Sequence, residues 1–184
     1  RPDRSRSVAT LRLLSGRDVN ITGGKDIGVT GGGEFAHNVE LRAANNVNIT
    51  NGNIYLADNQ NLTIVADNDA SSVGNVNIGG DLVQVGTGGS NTTGFMSIQG
   101  QNISLGTSGG SESIVVTGAG NQTFTAFGQI DVINTSNNPV LISTASGTQT
   151  FDTHLATGSG NLLVQGSGTG GANAERGVAR STRV

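Results

Sequence analysis

Short segments of the form apolar–x–apolar, in which the middle residue x is usually polar, recur along the chain and are separated by stretches of Gly, Asn, Ser and Thr. This alternation is typical of a β-strand with one buried face. We expect each segment to bury its apolar residues and to point its middle residue outward. The segments occupy residues 11–13, 19–21, 27–29, 39–41, 47–49, 54–56, 62–64, 76–78, 83–85, 103–105, 114–116, 130–132 and 140–142, with less regular ones at 95–98, 124–127, around Phe151 and at 162–164.

These segments form three series that recur with a period of about 28 residues, as the numbering shows. The first series is centred on Asn20, Asn48, Asn77, Ser104 and Asp131, at nearly constant intervals. The second is centred on Gly28, Tyr55, Gln84, Val115 and Leu141, at intervals that vary more. The third begins with Arg12 and Glu40, one period apart, and continues irregularly at Thr63 and Ser97.

The period predicts an all-β fold, a right-handed parallel β-solenoid (β-helix) with three short strands per coil and five to six coils. A strand of three or four residues is not stable alone, so equivalent strands of successive coils must pair. The right hand follows from the usual hand of parallel crossovers. A β-sandwich also contains short alternating strands, but it does not require a recurrence of this kind.

The composition agrees with this fold and excludes others. Gly, Asn, Ser and Thr together occupy nearly half of the chain, and Gly is the most frequent of the four. All four are weak helix formers, which makes a helical bundle implausible, whereas Gly and Asn suit tight turns. There is no Cys, so a disulfide-stapled domain is impossible. A net charge of −3 makes the whole chain a poor candidate for binding nucleic acid.

The outward residues of the first series form a candidate ladder of Asn20, Asn48, Asn77, Ser104 and Asp131. Aligned Asn side chains can hydrogen-bond to the copies in neighbouring coils, as stacked amides do in cross-β structures. We therefore interpret this face mainly as a stabilising amide ladder. A surface that recognises glycans of the host or matrix is the alternative.

The second series and the two ends of the chain are candidates for self-association. If the phase is right, this face carries Tyr55 and exposes Val115 and Leu141. Such an apolar strip requires a cover, either the C-terminal segment after Gly160 or a neighbouring chain. The solenoid is predicted over residues 8–165, between a basic arm (1–7) and a Gly-, Ser- and Arg-rich tail (166–184). These ends carry the cationic residues Arg1, Arg4, Arg6, Arg176, Arg180 and Arg183. They are either solvated tails, contacts to acidic groups of a neighbour, or protease processing sites.

We predict no catalytic, cofactor or metal site. The chain has two His residues, His37 and His154, far apart in sequence, and no Cys, which argues against transition-metal and Cys–His chemistry. Asp67 and Asp69 offer carboxylates to calcium, but a solvated turn explains them as well. Polysaccharide-degrading β-helix enzymes also cluster carboxylates, so a carbohydrate-active enzyme is kept as an alternative function. No apolar run is long enough for a membrane span.

The segments 18–22 and 46–50, Asp-Val-Asn-Ile-Thr and Asn-Val-Asn-Ile-Thr, together with recurrent Gly-Asn turns, resemble the repeats of filamentous-haemagglutinin-like exoproteins. These are large bacterial adhesins of the two-partner secretion type, and the resemblance covers roughly residues 8–165. It implies a secreted or surface-exposed bacterial β-helical shaft that serves adhesion, biofilm or fibre formation. The expected partners are copies of the chain itself, in a head-to-tail or lateral polymer.

Overall fold

The computed structural model describes residues 9–29, 33–57, 59–69, 71, 73–84, 94–106, 114–118, 120–134, 140–144, 148–153 and 162–166. In this part the chain is all-β and every pairing between named strands is parallel. The predicted β-solenoid is confirmed. No helix of these residues is long and apolar enough to cross a bilayer.

Successive strands pass from one sheet to the next, so that three parallel sheets run along the molecule. Sheet one contains β1 (Thr10–Ser15), β3 (Asn38–Ala43), β6 (Leu62–Val65), β9 (Met96–Gly100), β12 (Gln122–Ala126) and β15 (Gln149–Thr153). Sheet two contains β2 (Val19–Thr22), β4 (Val47–Thr50), β7 (Asn75–Gly79), β10 (Asn102–Leu105), β13 (Ile130–Asn134) and β16 (Leu162–Gly166). Sheet three contains β5 (Ile54–Leu56), β8 (Leu82–Gln84), β11 (Ile114–Gly118) and β14 (Val140–Thr144).

The core is a narrow stack of inward side chains, because each strand turns its alternate residues towards the axis. In β4, for example, Val47 and Ile49 are fully buried and Asn48 between them is half-buried. In sheet one, rings and amides replace aliphatic residues late in the chain. Phe124 and Phe151 stack with ring centroids 4.8 Å apart, and the Gln149 amide donates to Oε1 of the buried Gln122 at 2.8 Å.

The spacing in sequence between paired residues shows where the coils differ in length. In sheet two, residues Val19, Val47, Val76, Ile103, Ile130 and Leu162 follow one another in register. Their spacing is nearly constant as far as Ile130 and is longer in the last step. In sheet one, Arg12, Glu40, Thr63 and Ser97 pair in turn, and the short step to Thr63 is followed by a long one. Both series therefore have the predicted members, and loops between the strands absorb the differences in length.

The prediction for sheet three is wrong in two places. The segment 27–29 is not a strand. Ile27 makes a single bridge to Ile54, Gly28 takes a φ of +76°, and a further single bridge joins Phe35 to Leu56. The strand expected at 83–85 instead begins one residue earlier, as Leu82–Gln84. Leu82 pairs with Ile54 and is fully buried. A shift of one residue exchanges the two faces of a strand.

The predicted basic arm and the predicted tail lie outside the described residues, except for Gly166, which ends β16. Arg1, Arg4, Arg6, Arg176, Arg180 and Arg183 belong to these segments. Their role in contacts with a neighbour stays a prediction.

Candidate functional site: axial ladders and outer faces

The Asn column of sheet two is the predicted ladder of Asn20, Asn48, Asn77, Ser104 and Asp131, and its register is confirmed. The Asn48 amide donates to Oδ1 of Asn20 at 2.8 Å, and the Asn77 amide donates to Oδ1 of Asn48 at 2.8 Å. The three Asn residues thus form an axial chain of hydrogen bonds.

The last two members of the Asn column depart from this pattern. Ser104 and Asp131 are opposite each other in register, but Asp131 accepts its hydrogen bond from within its own coil, from Nε2 of Gln129 at 2.5 Å. Its Oδ1 is buried without a hydrogen-bond partner. The column is an amide ladder only over its first three coils, because neither a hydroxyl nor a carboxylate continues the amide pattern.

A second set of ladders lies at the corners of the solenoid, at the residue just before the first inward residue of a strand. Oδ1 of Asp18 accepts the backbone N–H and the side-chain amide of Asn46, at 2.9 and 3.1 Å. Oδ1 of Asn46 accepts the same two donors of Asn75, at 3.0 and 3.3 Å. The series continues at Asn102, whose amide donates to Oδ1 of Asn75 at 2.9 Å. Oδ1 of Asn102 in turn accepts the backbone N–H of Gln129 at 3.0 Å.

The other two corners repeat this arrangement. Before sheet three, the backbone N–H of Asn53 donates to Oδ1 of Asp26, and that of Asp81 donates to Oδ1 of Asn53, both at 2.8 Å. Before sheet one, Oδ1 of Asn38 accepts from the backbone N–H of Asn61 at 2.8 Å, and Oδ1 of Asn61 from that of Phe95 at 3.0 Å. A backbone donor at a corner thereby obtains an acceptor from the preceding coil.

The sequence carries a signal for the corner ladders that the apolar–x–apolar pattern does not include. Asp18, Asn46 and Asn75 immediately precede such segments, and 18–22 and 46–50 have nearly the same sequence. The pattern itself gives a role only to the middle residue of each strand. An Asp or Asn that recurs just before the first inward residue identifies the corner acceptor.

The strip predicted from Tyr55, Val115 and Leu141 does not form a single column, and this part of the prediction is wrong. Tyr55 is opposite Val83, whose row continues to Thr117, whereas Val115 is opposite Leu141 in a different row. The predicted step from Gln84 to Val115 spans 31 residues, whereas the paired residues Val83 and Thr117 are 34 residues apart. Tyr55 itself is half-buried and its hydroxyl lies 3.5 Å from Oδ2 of Asp81. A role of these residues in self-association stays a prediction.

An ion-pair cluster, which the sequence analysis does not predict, lies on the outer face of sheet one, where Arg12 is opposite Glu40. Glu40 accepts hydrogen bonds from Nε of Arg12 on the neighbouring strand, at 2.5 Å, and from Nε of Arg42 on its own strand. The pKa of the Glu40 carboxyl is lowered chiefly by the hydrogen bond from Arg42 and further by Arg12, against the opposing effect of burial. Nη1 of Arg42 also reaches Oδ1 of Asn68 at 3.2 Å.

The acidic loop of Asp67 and Asp69 is closed by its own hydrogen bonds. Oδ1 of Asp69 accepts the backbone N–H of Ser71 at 3.3 Å, and Oδ1 of Asp67 accepts the Ser71 hydroxyl at 3.1 Å. Asp67 has a φ of +59°, as expected of a turn residue. Among the described residues, no group of three or more His, Asp or Glu is arranged to hold a metal ion.

No protein-family model, curated protein sequence or solved structure matches the chain.

Proposed function

We propose that the protein is a structural, non-enzymatic β-solenoid of the bacterial cell exterior, either the subunit of a self-assembling filament or a segment of the shaft of a surface adhesin. One observation carries this proposal: polar side chains at the corners join each coil to the next by hydrogen bonds along the axis. These corner Asp and Asn side chains hold neighbouring coils together.

Hydrogen bonds along the axis are suited to a protein whose role is to form a long, stiff rod. In a solenoid each coil contacts only its neighbours, so stability along the rod is the sum of coil-to-coil contacts. At about 4.8 Å per strand, six strands in a sheet give a rod of roughly 25–30 Å. A longer shaft or fibre requires further coils or further copies on the same axis.

The resemblance of the repeats at 18–22 and 46–50 to filamentous-haemagglutinin-like exoproteins supports the extracellular part of the proposal. In that family, repeats of this kind build shafts that serve adhesion and biofilm formation. The absence of Cys in the sequence is compatible with an oxidising environment, where a free thiol is a liability.

Electron microscopy of the purified chain over a range of concentrations tests whether the protein assembles into filaments. We expect uniform fibres with an axial repeat close to the length of the rod. If light scattering shows a strictly monomeric protein at high concentration, the filament subunit is excluded and the segment of an adhesin shaft is left.

The non-enzymatic part has its own test. The chain is incubated with acidic and neutral polysaccharides, and we expect no new reducing ends and no unsaturated products. Depolymerisation that is lost in the double variant Asp67→Asn, Asp69→Asn, while its circular dichroism stays that of the wild type, would overturn this part.

A further inference from the structure

We propose that a second copy of this chain stacks on β1 through its own β15, parallel and in continuous register, so that Leu13 of one copy packs on Phe151 of the other. The inference rests on the proposed function and specifies which surfaces join the copies. β1 and β15 are the outermost strands of sheet one in the described part of the chain.

The first argument is the burial along one inward row of sheet one. The row consists of Leu13, Leu41, Ile64, Ile98, Phe124 and Phe151. Its four middle members are fully buried, whereas Leu13 is 37% exposed and Phe151 is only partly buried. Both ends of the row therefore hold apolar side chains that are covered on one side only, and stacking covers both.

The second argument is the shape of the apolar surface at the β15 end. Phe151 lies nearly parallel to Phe124, with an angle of 5° between the ring planes. Its opposite ring face is thus turned away from Phe124. A flat ring face accepts an aliphatic side chain such as Leu13 without a change in the path of the strands.

The third argument is charge on the outer face of the same two strands. Continuing the register places Arg12 opposite Thr150 and diagonal to Asp152. Arg12 is 64% exposed even though it contacts Glu40. Residues on a diagonal between neighbouring strands are within reach of a long side chain, so the guanidinium meets an acidic group across the junction.

The remaining edges favour this end-to-end arrangement over a lateral one. β2 and β16 are likewise outermost in sheet two, and an outermost strand presents backbone N–H and C=O groups that can pair with another strand. The Asn column on the outer face, in contrast, already uses its amides within the chain. An end-to-end contact of unlike surfaces repeats without closure and produces a filament.

Disulfide trapping tests the register, because the wild-type chain has no Cys. Thr10 and Thr148 are both exposed, and the proposed register places them opposite each other across the junction. Neighbouring strands about 4.8 Å apart are within the range of a disulfide. Equal amounts of Thr10→Cys and Thr148→Cys are mixed and oxidised, and the mixed dimer is quantified.

The matched control is Thr10→Cys mixed with Thr22→Cys, since Thr22 is also exposed but lies in β2, at the same end as β1. We expect the first pair to yield several-fold more mixed dimer than the control. Equal yields from the two pairs would overturn the proposed junction.

A charge exchange tests the contact on the outer face. With the Cys pair in place, Arg12→Glu in the Thr10→Cys chain should lower the yield several-fold, and Asp152→Arg in the Thr148→Cys chain should restore it. Failure of the second substitution to restore the yield would contradict the pairing.

Microscopy of the wild-type protein separates the two proposals. Fibres without selective trapping would overturn this junction and leave the filament proposal standing, whereas selective trapping supports the junction itself.

Discussion

Asparagine has two different roles in this molecule, and its position relative to a strand decides which. An Asn just before a strand, such as Asn46, accepts a backbone N–H of the next coil. An Asn in the middle of a strand, such as Asn48, bonds only to other side-chain amides. Loss of the first kind leaves a backbone donor without its acceptor, whereas loss of the second kind leaves side-chain amides that can turn to water.

We therefore expect Asn46→Ala to destabilise the fold more than Asn48→Ala. The partly buried backbone N–H of Asn75 loses its acceptor in Asn46→Ala, which should cost about 1–3 kcal/mol. Asn48→Ala should cost about 1 kcal/mol or less, because it leaves only side-chain amides without a partner and these can turn to water. Urea unfolding of both variants measures the difference, and an equal or larger loss in Asn48→Ala would contradict the distinction.

Glu40 makes stability depend on pH in the acid range. Its pKa is lower in the folded state than in the unfolded chain, mainly because Arg42 donates a hydrogen bond to it. The contribution is therefore complete above the ordinary range of a Glu carboxyl and is lost as the pH falls through the lowered pKa. Since Arg12 is largely exposed, we expect a contribution of about 1 kcal/mol or less at neutral pH.

The variant Glu40→Gln measures this contribution. It should be less stable than the wild type at pH 7, and the difference should shrink as the pH falls below the ordinary range of Glu. Thermal unfolding of both proteins between pH 7 and pH 3 gives the comparison. A difference that does not change with pH would contradict an ionic origin.

At the scale of the strands, the alternation of apolar and polar residues predicts correctly where most of them lie. It succeeds for β2, β4 and β7 because each contains the cleanly alternating sequence Val-Asn-Ile. It fails at β8, where Val83-Gln84-Val85 gives the one apolar–x–apolar reading and would turn the neighbouring Leu82 outward. The contact with Ile54 selects the reading in which Leu82 faces the core.

Substitution of Leu82 tests this register. Because Leu82 is fully buried, Leu82→Ala should cost about 2–5 kcal/mol. The matched control is Leu14→Ala, which removes the same atoms from a side chain that is 66% exposed and should cost about 0.5 kcal/mol or less. Chemical denaturation of the two variants provides both values. A tolerated Leu82→Ala would mean that the residue does not face the core.

At the scale of the whole molecule, the solenoid is a stack in which each coil depends on its neighbours. Removal of one complete period should therefore leave a shorter rod with all its ladders in phase. Deletion of residues 47–75 joins Asn46 to Val76, so that Asn46 again precedes a strand of sheet two.

We expect this deletion variant to fold and to unfold cooperatively. Deletion of residues 47–61 removes only the strands of sheets two and three from one coil, and this variant should not fold, because the following strands lose their partners. Circular dichroism and thermal unfolding distinguish the two. Equal behaviour of the two deletions would contradict a stack built in whole periods.

The class of fold and the axial repeat can be read from local sequence alone, because both depend on the alternation within a strand and on Gly- and Asn-rich turns between strands. The corner ladders could also have been found in this way, from Asp18, Asn46 and Asn75. The pairing of Tyr55 with Val83 and that of Val115 with Leu141 in a different row could not. They depend on contacts between residues in different coils, and loops of unequal length shift those contacts without changing the alternation of any single strand.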